Sequence, residues 1–385
     1  MLLVSSMARS EENLAQTIAY SEMVRNPEPC MMDGRNALKW EYTGGLEIAA
    51  MQDVYEACGD ETIMKYAFQY IDSFVMADGR IRTYRLTDYN LDRINPGKTL
   101  FRFLQQTGEP RFHRALDLLR SQLATHPRND DGGFWHKKIY PHQVWLDGIY
   151  MATPFLAEYT ATFEPENIAA YEDAVNQILM AARHNYDSKT QLFRHACDVS
   201  RQMGWADAVT GQSQHCWGRA LGWYMMAIVD ALPFIPEGTS GRDSVLTVLS
   251  IIAKGIDRYK DRRTGLWYQV LDSPEREGNY LESSCSAMFI YSMLKAARLG
   301  YLPKKYQKLA RRSYASFVKE FVYYSDCTSA DGQTFRCTNI GRCCAVAGLS
   351  ADRPGTFDYY VNEKKRDNDP KVVGPFIKAS LEMMK

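Results

Sequence analysis

The chain has 385 residues, of which 45% are hydrophobic and 24% charged, so we expect a folded globular protein rather than a disordered one. Its 46 Lys and Arg residues balance 46 Asp and Glu residues, and this zero net charge argues against nucleic acid or an anionic membrane as the main partner. No apolar run approaches the roughly 20 residues that span a bilayer. The length suggests two or three domains, or one large closed architecture.

The N-terminal residues and the cysteines leave the cellular compartment open. The apolar start, Met1 to Val4, is too short for a signal peptide and lacks a basic segment, so the protein could be cytoplasmic or periplasmic. The nine cysteines are scattered and form no CxxC pair. We expect mostly buried free thiols, with disulfides among the four cysteines from 327 to 344 as the alternative.

Helical periodicity dominates the chain, whereas clean strand alternation is nearly absent. Residues 241–260 place Val245, Val248 and Ile252 on one face, which indicates a helix with one wet side. Residues 217–232 are apolar on nearly every side, which indicates a fully buried helix. The pattern predicts twelve helical segments, at about residues 10–25, 44–58, 60–76, 92–107, 110–125, 144–162, 167–184, 217–232, 241–260, 282–299, 303–322 and 369–384.

Drier and wetter helices alternate along the chain, and a short turn motif recurs between the pairs, as in residues 187–193 and 261–267. Twelve helices in six hairpins predict an all-α (α/α)6 toroid, in which the drier helices form the inner ring. We therefore expect one domain over residues 1–385, with residues 1–39 as a first outer helix and its lead-in. The inner-helix N-termini would share one mouth of the ring, where we expect a pocket.

The loops before the drier helices hold most of the tryptophans and histidines. Flat aromatic rings stack on sugar faces while His, Arg and Asp bind hydroxyls and carboxylates, so this composition is typical of a sugar site. A single tryptophan would more simply be a core residue at a helix start, but six of the seven tryptophans collect on one predicted face. The side chains concerned are Trp40, Tyr42, His136, Lys137, His142, Trp145, His195, Trp205, His215, Trp217 and Trp223.

Asp147 is a lone carboxylate in the apolar run from Gln143 to Met151. Burial there would raise its pKa above the usual ~3.9 and keep it protonated longer, as suits a general acid. The alternative is a helix N-cap, a position that favours Asp. Pro154 would kink the same helix by removing a backbone donor.

Asp92 and Arg219 are the next candidates. Asp92 precedes an apolar helix, where it could instead be an N-cap or pair with Arg93. Two carboxylates in one pocket would push one of them toward its neutral form. Arg219 lies in an otherwise dry helix, and its planar fork matches a substrate carboxylate, with a structural salt bridge as the alternative.

Motifs for metals and common cofactors are absent from the sequence. The seven histidines show no HxxxH, HxH or HExxH spacing, so we expect no metal. Phosphate loops, dinucleotide fingerprints and the GxSxG elbow are absent as well.

Several longer motifs occur together from about residue 40 onward, namely residues 91–97, 133–137, 140–151, 204–207, 211–213, 217–224, 355–360 and 368–376. Jointly they resemble the unsaturated rhamnogalacturonyl hydrolases, glycoside hydrolase family 105, which is related to the unsaturated glucuronyl hydrolases of family 88. The resemblance implies an (α/α)6 toroid and no metal or organic cofactor.

The resemblance also implies an activity: release of a terminal Δ4,5-unsaturated galacturonic acid from rhamnogalacturonan or pectin fragments. In such enzymes an Asp protonates C4 of the vinyl ether, water adds at C5, and the hemiketal opens. The matching acid is Asp147, with Asp92 as its partner carboxylate. The positions that match subsite residues are Tyr42, His136, Lys137, Trp145, His195, Trp217, Arg219 and Trp223, with Arg219 or Lys137 near the uronate.

Cys197 and Val199 depart from the pattern, because the resemblance implies Trp and Glu there. Loss of the indole would widen the site, so the identity of the leaving sugar, rhamnose or another residue, is open. Three alternatives remain: an unsaturated glucuronyl hydrolase acting on glycosaminoglycan fragments, a sugar 2-epimerase using His136 and His195, and a non-catalytic carbohydrate-binding toroid. The partner in each case is a carbohydrate, and the protein could be a monomer or a weak homodimer.

Overall fold

The computed structural model describes residues 13–385; Met1 to Val4 and the start of the first expected helix lie outside the described residues. None of the described helices is both long and apolar enough to cross a membrane. The α-helices are α1 (Leu14–Arg25), α2 (Tyr42–Cys58), α3 (Glu61–Phe74), α4 (Lys98–Thr107), α5 (Pro110–Thr125), α6 (Leu146–Phe163), α7 (Ile168–Asn185), α8 (Gly218–Ala231), α9 (Arg242–Tyr259), α10 (Ser283–Arg298), α11 (Lys304–Phe321), α12 (Phe357–Asn362) and α13 (Pro370–Met383).

The helices form two concentric rings, which confirms the (α/α)6 toroid. The inner ring is α2, α4, α6, α8, α10 and α13, and it closes where α13 packs against α2. The outer ring is α1, α3, α5, α7, α9 and α11. The sequence missed α12, a short helix in the loop that leads to α13.

Burial differs between the rings as the apolar patterns predict. Helix α8 is buried along almost its whole length, because inner-ring neighbours, an outer helix and the loops cover every face. Helix α9 buries Val245, Val248, Leu249 and Ile252 on one face and leaves its other face to solvent. Tertiary burial of these apolar faces, rather than helix propensity, holds the rings together.

Two copies of the recurring turn motif, residues 187–193 and 261–267, have the same hydrogen-bond pattern. The carboxylate of Asp187 accepts from the amide and the hydroxyl of Thr190, and that of Asp261 accepts from the same two groups of Thr264. Each turn follows an outer helix and reverses the chain toward the inner ring. The repeat is therefore an Asx-type turn, a role for which Asp side chains are suited.

Strands are more extensive than the sequence indicates. Residues 13–385 contain four two-stranded sheets: β1 (Gln143–Trp145) with β4 (Ala196–Asp198), β2 (Tyr186–Asp187) with β3 (Leu192–Phe193), β5 (Val322–Thr328) with β6 (Thr334–Ile340), and β7 (Cys343–Cys344) with β8 (Lys365–Arg366). The β5–β6 hairpin was missed because β5 is mostly exposed and carries no apolar alternation. Cys327 and Cys337 form a disulfide across it, and five of the seven free cysteines are buried.

We expect Gly45→Ala to destabilise the toroid, because its new methyl would lie 2.4 Å from Cα of Pro96, whose backbone cannot retreat easily. Overpacking of this kind costs about 1–3 kcal/mol. Urea unfolding measures the loss. Gly238→Ala is the matched control, since its methyl would meet no atom within 4 Å. Equal stability of the two variants would contradict the close packing of α2 on the Pro96 segment.

Candidate active site

The N-terminal ends of the inner helices meet at one mouth of the toroid and bring polar side chains with them. Tyr42 is the first residue of α2, Asp147 the second of α6, and Arg219 the second of α8. Partial positive charge at helix N-termini favours carboxylates such as that of Asp147. Asp147 does not cap its helix, because Trp145 occupies the cap position, so the N-cap alternative is wrong.

A short strand pair places Asp147 beside His195. Strand β1 runs antiparallel to β4, with Trp145 opposite Ala196, and the amide of Leu146 donates to the carbonyl of His195 at 3.2 Å. The carboxylate Oδ2 of Asp147 then lies 3.3 Å from Nε2 of His195. The two atoms lack good hydrogen-bond alignment, so this is a close contact rather than a strong hydrogen bond.

His195 is held from behind by Tyr360. The imidazole is fully buried, and its Nδ1 lies 2.7 Å from the hydroxyl of Tyr360. If that hydroxyl donates to Nδ1, the neutral ring carries its proton on Nε2 and points it at Asp147. In that arrangement Tyr360 sets which nitrogen of His195 carries the proton. The sequence offered no signal for this role beyond the loop in which Tyr360 lies.

The acidity of Asp147 differs from the expectation. Burial is the largest single influence and favours its neutral form, but the interactions with His195, His136 and Arg219 together outweigh burial and lower the pKa of Asp147 below its usual value. The expected rise of this pKa is therefore wrong for the free protein. An apolar sequence context predicts burial, but it does not show which basic groups the fold brings to the same point.

Asp92 lies in a second ionic cluster next to the first. It falls in a 3₁₀ turn capped by Asn90, so it is neither a helix cap nor a partner of Arg93. Its Oδ2 is 2.5 Å from the Lys137 ammonium, and its Oδ1 is 3.7 Å from Nε2 of His136. The Asp92 carboxylate opposes the effect of burial and raises the pKa of Lys137, so that ammonium stays charged.

His136 lies between the two carboxylates as a neutral ring. Burial, together with the charge of Lys137, lowers the pKa of His136 well below its usual value. A methyl added at Gly148, next to Asp147, would lie 2.8 Å from Nδ1 of this histidine. The absence of a side chain at that position lets His136 approach the first turn of α6.

A stack of three rings forms one wall of the site. Trp145 lies nearly parallel to His136 at 4.8 Å and to Tyr140 at 5.3 Å, and His136 and Tyr140 lie 6.4 Å from each other, measured between ring centroids, so each ring neighbours the other two. Tyr140 is the outermost ring and is only partly buried. Tyr140 is not among the ten candidate site residues, although it lies inside the motif over residues 140–151.

Trp217 and Arg219 form the opposite wall. The Trp217 ring lies 4.7 Å from that of His195 and donates its indole N–H to the side chain of Gln269. The Arg219 guanidinium lies over the Trp217 ring at 4.6 Å. It donates to the carbonyl of Cys344 and lies 3.4 Å from the hydroxyl of Ser284, so its structural partners are not a carboxylate.

Tyr42 and Trp223 lie at the floor, deeper in the ring. Trp223 is 1% exposed and contacts Tyr42 edge-on at 6.1 Å and Tyr150 face-on at 4.8 Å. The structure thus brings all ten sequence candidates to one mouth: the two carboxylates, six side chains around them, and Tyr42 and Trp223 beneath them. Among residues 13–385, no group of three or more His, Cys, Asp and Glu side chains is arranged to hold a metal ion.

Cys197 does not border the site. Its thiol is 1% exposed and points toward the carbonyl of Thr210, and a methyl at Gly211 would lie 3.1 Å from it. The missing indole therefore leaves no open space next to Asp147, and the expected widening is wrong. The thiol instead packs behind β4 against the loop that follows.

We expect the Asp147 carboxyl to stay ionised between pH 5 and 8, because its pKa is lowered. NMR of the protein with ¹³C-labelled aspartate measures this directly, and Asp147→Asn assigns the signal. A lowered pKa means that the pair with His195 contributes stability above the unfolded value of ~3.9 and loses it as the pH falls through the lower folded value. A titration midpoint above pH 5 would contradict this assignment.

Comparison with known proteins shows the family of this chain. The profile of Glycosyl Hydrolase Family 88 matches residues 14–385. A family 105 glycoside hydrolase of Clostridium acetobutylicum (C. acetobutylicum ATCC 824) superposes with a TM-score of 0.89 at 36% identity, over 97% of this chain and 99% of that one.

Two curated relatives are also similar. Protein Atu3128 of Agrobacterium fabrum is 36% identical over 240 residues, covering 61% of this chain and 98% of the relative. The unsaturated rhamnogalacturonyl hydrolase YesR of Bacillus subtilis is 25% identical over 303 residues, 77% of this chain and 78% of the relative. The family profile matches from α1 to the last residue, and the chain has the two-ring fold. This chain therefore belongs to the glycoside hydrolases of families 88 and 105.

Proposed function

We propose that the protein releases a terminal Δ4,5-unsaturated galacturonic acid from rhamnogalacturonan-derived oligosaccharides. The observation that carries this proposal is the partly buried carboxylate of Asp147, 3.3 Å from His195, whose ring contacts Trp145 and Trp217. Membership of families 88 and 105 supports hydrolysis of a glycoside, and the similarity to YesR supports this substrate class.

Protonation at carbon requires Asp147 to hold a proton when substrate is bound. In the free protein the carboxyl is ionised, but a bound uronate would bring a second negative charge close to it and exclude water. Both effects raise a carboxyl pKa. Substrate binding therefore prepares the acid, as when two carboxylates share one site.

The proposed reaction returns Asp147 to its starting state. The Asp147 carboxyl donates its proton to C4, which saturates the double bond and leaves positive charge shared by C5 and the ring oxygen. The carboxylate then takes a proton from a water molecule as that water's oxygen bonds to C5. The hemiketal formed at C5 opens the ring, and the hemiacetal left at C1 releases the remaining sugar. The sum is the addition of water with no other reactant.

The cluster of Asp92, Lys137 and His136 is suited to hold the sugar ring and the water. The Asp92 carboxylate accepts hydrogen bonds from hydroxyls or water, and neutral His136 can accept or donate one. The Lys137 side chain is 20% exposed, whereas Arg219 is 1% exposed and engaged by the carbonyl of Cys344. This difference favours Lys137 as the direct contact of the uronate, with Arg219 acting through its charge.

An apolar surface next to the ring stack supports a deoxy sugar as the leaving group. Trp145, Trp205 and Leu349 form a small hydrophobic cluster, and Met203 and Tyr140 pack against it with part of their surface exposed. A methyl group, as in rhamnose, gains about 0.8 kcal/mol per carbon when such a surface covers it. A glucuronyl disaccharide with a hydroxymethyl or amide group would gain less.

We expect Asp147→Asn to abolish turnover of an unsaturated galacturonyl-rhamnose disaccharide, lowering kcat by at least about a hundredfold, because general acid–base catalysis contributes roughly 10²–10⁴. Loss of ultraviolet absorbance from the conjugated double bond follows the reaction. Asp243→Asn, on the solvent side of α9, is the matched control and should retain full activity.

A variant Asp147→Asn with the wild-type rate would contradict the acid assignment. Turnover of a glucuronyl chondroitin disaccharide, with none of the galacturonyl substrate, would replace the proposed specificity with that of an unsaturated glucuronyl hydrolase. Failure of the wild type on both substrates would leave the epimerase or the carbohydrate-binding protein.

We expect Tyr360→Phe to lower kcat about tenfold with little change of KM. The variant removes the hydroxyl that fixes the His195 ring but leaves the surface of the pocket unchanged. Steady-state kinetics separate the two parameters, and thermal unfolding shows whether the fold is intact. A rise of KM alone would indicate that Tyr360 contributes to substrate binding rather than to the orientation of His195.

A further inference from the structure

A cavity opens at the other mouth of the toroid, lined mostly by the C-terminal halves of the inner helices, with Lys98 at the start of α4. Its volume is about 620 Å³, which is within the range of small-molecule sites. All six inner helices contribute to its lining, with Asp53 from α2, Lys98 from α4, Glu158 from α6 and Asp230 from α8 among them. The proposed reaction uses none of these side chains. We call this space the distal cavity.

The distal cavity is lined with charge, and most of the charges are paired. Six cationic and five anionic side chains line it. Asp53 pairs with Arg102 and Lys378, Glu56 with Arg102, Asp230 with Lys295, and Glu382 with Arg298 and Lys385. These pairs use five cations and four carboxylates, so together they carry one excess positive charge. Lys98 and Glu158 also line the cavity but take part in none of these pairs.

Lys98 is the cation without a carboxylate. No carboxylate oxygen of residues 13–385 lies within 4.0 Å of its ammonium, in contrast to the other five cations of the cavity. The ammonium instead lies over the ring of Tyr150, 3.7 Å from the centroid. An ammonium that is partly removed from water and lacks a counterion is an unsatisfied positive charge.

We propose that the distal cavity binds a small solute bearing a carboxylate or phosphate group, and that the Lys98 ammonium is its main contact. The excess positive charge of the paired groups adds to the attraction, and the volume accommodates a solute of monosaccharide size. Glu158 lines the same space and offers a hydrogen-bonding group for hydroxyls of the solute. This inference does not depend on the proposed function of the opposite mouth.

The charge of the site changes near neutral pH. Burial lowers the pKa of Lys98 to about 7, and burial raises the pKa of Glu158 to about 7. Below pH 7 the ammonium is charged and the carboxyl neutral, whereas above pH 7 the reverse holds. Both changes weaken the attraction for an anion as the pH rises. The charged and titratable groups around Lys98 are Asp53, Glu56, Arg102, Tyr150, Glu158, Asp230, Tyr291, Lys295, Arg298, Lys378, Glu382 and Lys385.

Isothermal titration calorimetry with the whole protein tests the proposal, using inorganic phosphate in one arm and D-gluconate in the other, in a cationic buffer. We expect both probes to bind at pH 6. Gluconate, whose own charge is constant over this range, should bind at least about tenfold more weakly at pH 8, because Lys98 loses its positive charge and Glu158 gains a negative one near pH 7. Binding of phosphate alone would identify phosphate esters as the class, and binding of gluconate alone would identify sugar acids.

Two variants of Lys98 decide whether this side chain is the contact. Lys98→Met should weaken binding at pH 6 at least tenfold, and Lys98→Arg should keep binding at pH 8, because a guanidinium stays charged. Lys308→Met, an exposed lysine of α11, is the matched control. Thermal unfolding checks that each variant is folded.

Three results would overturn the proposal. The first is no binding of either probe to the wild type at pH 6, and the second is equal affinity of Lys98→Met and the wild type. The third is a loss of affinity between pH 6 and pH 8 in Lys98→Arg as large as that of the wild type. Lys137→Met, which removes the cation proposed to contact the uronate at the opposite mouth, should bind both probes as the wild type does. Loss of binding in that variant would assign the probes to the opposite mouth instead.

Discussion

The pairing of β1 with β4 is the constraint on which the candidate site depends. Three residues on each side, 143–145 and 196–198, join the loop before α6 to the loop before α8. The pairing fixes the entry of α6, so Asp147 arrives beside His195 with an atom-to-atom distance of 3.3 Å. It also aligns Trp145, which supports the ring stack on one side and the small apolar cluster on the other. Without this ladder the two loops would carry the same residues to unrelated positions.

The direction of the inner helices gives the two mouths different electrostatics. At the mouth with the helix N-termini, the positive end of the macrodipole and nearby basic groups keep Asp147 ionised. At the other mouth, backbone carbonyls end the helices, and lysines and arginines such as Lys295 and Arg298 gather near them. Basic residues are favourable at helix C-termini for the same physical reason. One fold thus presents a carboxylate site and a cationic cavity on opposite faces, separated by the layer of Tyr42, Trp223 and Tyr150.

Local patterns were sufficient for most of the fold. The apolar periodicity of α9 and the all-round apolar character of α8 distinguish the outer from the inner ring, because burial acts on each helix separately. The paired turns at Asp187 and Asp261 could be recognised because their geometry depends on a few neighbouring residues. The β5–β6 hairpin could not, since its outward side chains are exposed and leave no apolar alternation to detect.

For the site, the sequence by itself determined which residue types are present and that their loops meet at one end of the ring. It selected Asp147 and Asp92 as candidates, and the apolar run around Asp147 indicated the partial burial that the structure shows. Only the tertiary structure decided the state of these groups. The pKa of Asp147 depends on His195, 48 positions away in the chain, and the orientation of His195 depends on Tyr360, separated from it by 165 positions. The pKa of a side chain depends on all charged and hydrogen-bonding groups within a few ångströms. In a closed ring of helices these groups come from segments far apart in the chain, so a local sequence pattern cannot predict them.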